Sequence, residues 1–270
     1  ADAAMGGQFN MAKQIPGKEE FHETIRYFNK QIEIHRVTLK LNTQVTVEDL
    51  KNGHFDEVIL ATGIKPRIPK IEGIDHPKVL SYIDVLKLKK PVGKRVAVIG
   101  AGGIGFDVSE YLAHEGKSTS LDIDAWLKEW GIDKTMEARS GTEGVTAEVH
   151  PSPREIFMFK RSKGKFGGNL GKTTGWIHRS TLKKKKVQFI NEVQYTKIDD
   201  EGLHYVQNKA QKVLTVDTIV ICSGQVPLAE LLAPLEAIGI KVHVVGGAAV
   251  AAELDAKRAI NQACRLAAII

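Results

Sequence analysis

Apolar residues in this chain recur in two rhythms. Phe21, Ile25, Phe28 and Ile32 follow one another at three- and four-residue spacing, which predicts an amphipathic helix over 19–36. Continuous apolar runs bounded by turn residues predict buried strands at 55–61, 95–99, 155–160, 216–222 and 241–245. Val37 to Leu41 reads as a further strand, and Val45 to Leu50 as a strand and turn. Pro66, Pro69 and Pro77 rule out a helix or central strand between the first two runs, so that stretch reads as a loop, with a short helix over 84–88 and a boundary near Val92. The polar stretch 116–153 is expected to be an extended surface loop with one short helix over 123–130. Helix 176–182, short strands at 187–190, 193–198, 203–207 and 212–215, and a closing helix over 254–266 complete the pattern. Strands alternating with helices predict an α/β fold with a parallel sheet.

The run at 95–99 leads directly into Gly100-Ala-Gly102-Gly103-Ile-Gly105, and Val108, Tyr111 and Leu112 follow at helical spacing. This is the dinucleotide fingerprint between a strand and a helix, the setting that gives the motif its meaning. The first glycine permits the tight turn, the second lets the backbone approach a pyrophosphate, and the third lets the helix pack close to the strand. Free N–H groups at the helix start favour the negative charge of that pyrophosphate. A glycine-rich turn in some other α/β domain is the bland alternative.

The end of the second strand of such a unit distinguishes the two pyridine nucleotides. NAD-binding units place an acid there for the ribose 2′-OH. Here the strand ends Phe159-Lys160-Arg161-Ser162-Lys163 with no acid. Arg161 suits bidentate contact with a 2′-phosphate and Lys160 or Lys163 a point charge, which favours NADP(H). A weak internal echo adds to this. Asp56-Glu-Val-Ile-Leu-Ala61-Thr62-Gly63 matches Asp217-Thr-Ile-Val-Ile-Cys-Ser223-Gly224 in character, and strand carboxyl ends are where α/β folds hold ligands.

Composition narrows the picture. The 270 residues allow one large or two ordinary domains, and no apolar run reaches the roughly 18 residues of a membrane span. The chain starts Ala1-Asp-Ala-Ala-Met5, with no secretory pattern, and reads as processed or as a piece of something longer. Two cysteines, Cys222 and Cys264, give neither a disulfide framework nor metal spacing, so a cytoplasmic setting is the default. The net charge of +6 suits an anionic ligand. The basic run Lys183–Lys186 reads as a solvated helix end rather than a nucleic-acid surface, having no interleaved aromatics. His178 and Trp176 invite roles in acid–base chemistry or ring stacking, but helix packing or cofactor contact is the expectation for His178. Asp107 is expected to be structural and Cys222 an inert core thiol.

Longer motifs carry a closer resemblance. Gly6-Gly-Gln-Phe-Asn10, Lys13-Gln-Ile-Pro-Gly-Lys-Glu-Glu20, Ala61-Thr-Gly63, Gly73-Ile-Asp-His-Pro-Lys-Val-Leu-Ser81, Gly100 to Asp107, Gly171-Lys-Thr-Thr-Gly-Trp-Ile-His-Arg179 and Glu253 to Ile260 together resemble the C-terminal part of the bacterial NADPH-dependent 2,4-dienoyl-CoA reductase family, iron–sulfur flavoproteins related to trimethylamine dehydrogenase. The resemblance implies a Rossmann-like NADPH-binding domain (92–223) inserted in a partial FAD-binding domain of the glutathione-reductase-like type (1–91 and 224–270). Together with the fingerprint and the strand-end cations, it gives as cofactor contacts Gly100, Gly102, Gly103, Gly105, Lys160, Arg161 and Lys163, and also Gly7, Gln8, Ala61, Thr62, Gly63, Ser223, Gly224 and Gly247. No catalytic side chain and no metal ligand are implied.

In that family a TIM barrel with FMN and a four-iron cluster precede this part, and hydride passes from NADPH to FAD before electrons reach the FMN. The barrel and cluster region would be this chain's partner. Neither its residues nor the first FAD βαβ unit are in this sequence, and Ala248-Ala249 stand where the family has an Asp after the final strand. Two other readings stay open. One is an NADP(H)-binding module with no chemistry of its own. The other is a different flavin-dependent pyridine nucleotide reductase; among these a disulfide reductase is disfavoured because the chain has no Cys-x-x-Cys.

Overall fold

The computed structural model describes residues 2–251 and 256–270. The first half of the chain forms α1 (Phe9–Ala12), α2 (Phe21–Ile34), α3 (Val47–Asn52), β1 (Val58–Leu60), β2 (Ile64–Pro66), β3 (Val79–Ser81), α4 (Tyr82–Leu86), β4 (Arg95–Ile99), α5 (Gly103–Leu112) and α6 (Ile123–Trp130). The second half forms β5 (Glu155–Phe159), α7 (Gly175–Lys184), β6 (Gln188–Ile190), β7 (Val193–Asp199), β8 (Gly202–Gln207), β9 (Ala210–Leu214), β10 (Thr218–Ile221), β11 (Gln225–Pro227), α8 (Leu232–Ala237), β12 (Val242–Val244) and α9 (Ala256–Ala267). The fold is mixed α/β with a parallel sheet, as the alternation of strands and helices predicts. Among the described residues no helix is long and apolar enough to cross a membrane.

The chain divides into two compact units, Ala4–Leu39 with Ile68–Ser223, and Ala1–Ala3 with Lys40–Arg67 and Gly224–Ile270. The larger contains a parallel sheet in the order β3-β10-β4-β5-β6. Successive side chains of a strand point to opposite faces. Val96, Val98, Ile156, Met158 and Val220 therefore face one way, and pack with Phe106, Val108 and Leu112 of α5, Leu182 of α7 and Tyr82, Val85 and Leu86 of α4. Ala97, Ile99, Phe157, Phe159, Ile219 and Ile221 face the other way, where β7, β8 and β9 form an antiparallel sheet and contribute Val193, Ile198, Leu203 and Tyr205. Burial on both faces explains why these strands read as continuous apolar runs.

The smaller unit has less to work with. β1 pairs with β12 in parallel and β2 with β11 in antiparallel register. Val58, Leu60 and Leu235 form its buried core, and Ile59, between the two buried strand residues, is exposed.

Several expectations change. Val37 to Leu41 is not a strand; its side chains are exposed and it ends in a turn. Residues 45–50 do not form a strand either. Thr46 accepts a hydrogen bond from the Asp49 N–H while the Asp49 carboxylate accepts from the Thr46 N–H, a capping box that starts α3. Ile64 to Pro66, read as the start of a loop, forms an edge ladder in which proline is tolerated. The stretch 116–153 is more ordered than an extended loop. Beyond α6, the Asp133 carboxylate accepts backbone N–H bonds from Ala138, Glu137 and Thr135, and the Ala138 and Thr135 bonds hold its pKa down to about 2.

The basic run is not wholly solvated. Lys184 lies 4.0 Å from the centre of the Trp130 ring, and buried Lys185 donates to the His150 carbonyl at 2.8 Å. Residues 4–39 and 68–91, grouped in the sequence reading with the FAD side, pack in the larger unit because Met11, Ile15, Tyr82, Val85 and Leu86 enter the core that α5 covers. The start of the helix expected over 254–266 lies outside the described residues; its remainder is α9.

Candidate nucleotide site

The site begins with backbone. β4 ends at Gly100, whose φ of 127° only glycine adopts readily, and whose N–H continues the ladder by donating to the Phe159 carbonyl. A Cβ on Gly100 would lie 2.3 Å from the Cys222 carbonyl oxygen. A Cβ on Gly105 would lie 1.9 Å from the Gly100 carbonyl oxygen, so α5 can approach the strand only because this residue has no side chain. At Gly102 and Gly103, by contrast, an added Cβ would meet nothing within 4 Å. The two closed positions bracket two open ones at the N-terminus of α5, and Gly102, its N-cap, brings no side chain to occupy the free N–H groups. That is a cradle for an anion with close backbone approach.

The neighbouring strands frame it. β4 is flanked by β5 and β10, and the fingerprint turn lies beside Ser223, just past the end of β10. β5 is the parallel neighbour of β4 in register from Arg95↔Glu155 to Ile99↔Phe159, which puts the Lys160-Arg161-x-Lys163 cations at the carboxyl end of the second strand of the unit. Lys160 turns inward to its own loop and donates to the Lys165 carbonyl at 2.9 Å. Arg161 and Lys163 are exposed. The loop that follows folds back over the fingerprint. The Gly167 N–H donates to the Ala101 carbonyl at 3.3 Å, Phe166 and Leu170 pack on the core, and Arg179 donates to the Gly167 carbonyl. Gly167, with φ of 62° and the Phe106 ring 2.9 Å from where a Cβ would sit, is a position sequence reasoning missed.

Behind the cradle, α5 carries two ionic contacts. Lys18 reaches Asp107 at 2.6 Å, and His178 Nδ1 lies 2.8 Å from buried Glu110. Burial pushes the Glu110 carboxyl up, and the hydrogen bond that His178 donates to Glu110 raises the imidazole above its ordinary 6.5. His178 is thus committed to α5. Trp176 is mostly exposed and meets Trp130 edge-on, with ring centres 6.3 Å apart. Cys222 is buried, and desolvation raises its thiol far above the usual range.

On the smaller unit the echo strand ends at Ala61, Thr62 and Gly63. The Thr62 hydroxyl donates to the Leu228 carbonyl. Gly63 has φ of 78° and open space where a Cβ would stand. Gly247 stacks against it, a Cβ there falling 3.3 Å from the Gly63 carbonyl carbon. Gly224 approaches the Arg67 guanidinium, 3.3 Å from where its Cβ would be. The structure thus brings Gly63 and Gly247 together, while Gly7 and Gln8, at the start of α1, belong to the larger unit.

A doubly covered parallel sheet with this cradle at its carboxyl edge defines a dinucleotide-binding oxidoreductase domain. The chain belongs to the pyridine nucleotide-disulphide oxidoreductase family, whose model matches residues 3–259, and that family binds FAD and NAD(P)H. It is 24% identical over 247 residues to a metal reductase of Desulforamulus reducens, a match covering 90% of this chain and 36% of that protein. It is 36% identical over 112 residues to a cinnamate reductase of Clostridium sporogenes, covering 40% of this chain and 16% of that one. The structure of a 2-naphthoyl-CoA reductase bound to 2-naphthoyl-CoA superposes with a TM-score of 0.80 at 24% identity, over 100% of this chain and 35% of that chain. The chain spans about a third of the metal reductase and of the naphthoyl-CoA reductase.

Proposed function

We propose that this chain is the NADPH- and FAD-binding part of a larger reductase of the 2,4-dienoyl-CoA reductase type. The observation that carries the reading is the pairing of β4 with β5, which sets the fingerprint cradle beside a strand end bearing Arg161 and Lys163 and no acid. When bound, NADPH supplies a hydride and the flavin accepts it; the protein's part is to position both. The open backbone at Gly102 and Gly103 takes the pyrophosphate, and Arg161 with Lys163 takes the 2′-phosphate. Lys160 holds the loop 162–175 in place through Lys165. Gly63 and Gly247 offer the flavin nucleotide a bare backbone edge on the smaller unit.

Dienoyl-CoA reduction, with FMN and a four-iron cluster, belongs to the remainder of such a protein. The long motifs that resemble that family support this, and a cinnamate reductase stands among the chain's relatives. The test is a visible spectrum of the purified chain followed by calorimetric titration with NADPH and with NADH. NADPH binding at least about tenfold tighter than NADH is the expected result, and Arg161→Ala should remove that preference by weakening NADPH about tenfold. Equal affinity for the two nucleotides would refute the 2′-phosphate assignment. Flavin in the spectrum supports the FAD side, and its absence after reconstitution with FAD would leave the binding-module reading in its place.

A further inference from the structure

The fingerprint uses the carboxyl ends of the parallel strands. At their amino ends lies a cavity of about 510 Å³, within the range of small-molecule sites. It forms where the segment from Lys89 to Lys94 leads into β4, where α5 ends at Leu112, and where Pro153 and Arg154 lead into β5. Pro91, Pro153, Val92 and Leu112 supply apolar wall. The charged groups are one-sided: Lys89, Lys90, Lys94 and Arg154 line it, and Glu115 is the one carboxylate among the lining residues.

The cations differ in how far they are already satisfied. Lys90 is paired with Asp84 at 2.6 Å. Among the described residues Lys89 has only neutral partners, Gln14 and the Tyr111 hydroxyl, and lies over the Tyr111 ring. Arg154 donates from Nη1 to the Leu112 carbonyl, which answers the negative end of α5, while its Nε is buried with no partner among the described residues. Exposed Lys94 has no ion pair among the described residues. Three cations around an apolar-walled hollow, with one carboxylate to offset them, favour an anion of more than unit charge, and Arg with Lys is the pairing that phosphate recognition uses.

The geometry points to a second ligand site on this chain, separate from the fingerprint, for a phosphorylated small molecule of about nucleoside monophosphate size. Lys89, Lys94 and Arg154 take the phosphate, and the proline and leucine walls take the ring. The test uses AMP as probe, titrated calorimetrically into the 270-residue chain with and without excess NADP+, beside adenosine and inorganic phosphate. AMP is expected to bind one-to-one whether or not NADP+ is present. Adenosine and phosphate are each expected to bind about tenfold more weakly or worse, and Lys94→Glu should weaken AMP by about tenfold or more. Lys94 is exposed, so this substitution leaves the fold intact; Arg154→Gln, which also removes a bond to α5, is the second variant and should repeat the loss. Absence of AMP binding, displacement of AMP by NADP+, AMP affinity untouched by Lys94→Glu, or phosphate alone binding as tightly as AMP would each overturn the proposal. Because the readout is AMP and Lys94, it stands or falls independently of whether NADPH occupies the fingerprint.

Discussion

The two units are built from similar strand sequences with different outcomes. Asp217 to Gly224 and Asp56 to Gly63 both run from an acid through branched apolar residues to a small residue and glycine. In the larger unit that run becomes β10, a central strand buried along its whole length. In the smaller unit it becomes β1, which is buried at Val58 and Leu60 but open at Ile59. The difference lies in the neighbours. β10 has a parallel strand on each side and a packed layer on each face, while β1 pairs with β12 alone among the described residues. A two-stranded sheet has little independent stability, and parallel pairs gain theirs from cover on both faces. The same local code therefore yields a rigid platform in one place and a lightly held edge in the other, and the nucleotide cradle stands on the platform.

Core truncation should separate the units most strongly. Leu182 and Leu235 are both fully buried, one under the parallel sheet and one under β1 and β12. Leu182→Ala should cost about 4 kcal/mol and lower the amide protection of β4, β5 and β10. Leu235→Ala should cost about 2 kcal/mol and deprotect β1 and β12 while leaving β4 unchanged. Hydrogen exchange reads both, and equal loss across the two units would end the contrast. Between those two in size is Gly105→Val, which forces a methyl-bearing carbon onto the Gly100 carbonyl. It should destabilise the larger unit by about 3 kcal/mol and abolish NADPH binding, read by thermal melting and calorimetry.

Smaller still is the effect of Arg161→Ala, about 1.5 kcal/mol on NADPH binding and none on NADH, which sharpens the contrast by showing which strand end holds the phosphate. The smallest is electrostatic. Glu110 favours the charged form of His178, so the stabilisation is fully present below pH 6.5 and is lost as pH rises through the elevated pKa of the folded state. Melting temperature of the larger unit should fall slightly above neutrality in the native chain, and His178→Gln should flatten that slope.

What could be read from the sequence follows from where each signal resides. The fingerprint is legible because its glycines act through the backbone, and 100, 102, 103 and 105 lie in one continuous segment. The apolar runs that became β4, β5 and β10 read as strands because burial on both faces leaves a continuous pattern. Thr46-x-x-Asp49 was legible as a helix start but was masked by the β-branched residues around it, Val45 and Val47. Val37 to Leu41 had strand composition and no strand to pair with, which a local pattern cannot reveal. The contacts of α5 were out of reach for another reason. Lys18 and Asp107 are 89 residues apart and Glu110 and His178 are 68 apart, so only the fold brings them together. The fit of Gly167 against Ala101, 66 positions earlier, is likewise a contact that no local pattern carries.

The two cysteines give this chain a built-in pair of reporters. Cys264 is exposed on α9 in the smaller unit, and Cys222 is sealed beneath the fingerprint in the larger one. Only the thiolate attacks an alkylating reagent, so a maleimide dye should modify Cys264 within the mixing time and Cys222 only when the platform opens. One unmutated sample then carries a fluorophore at a known place and a clock on the unfolding of the nucleotide unit, with the count of labels per chain rising from one to two as that unit lets go.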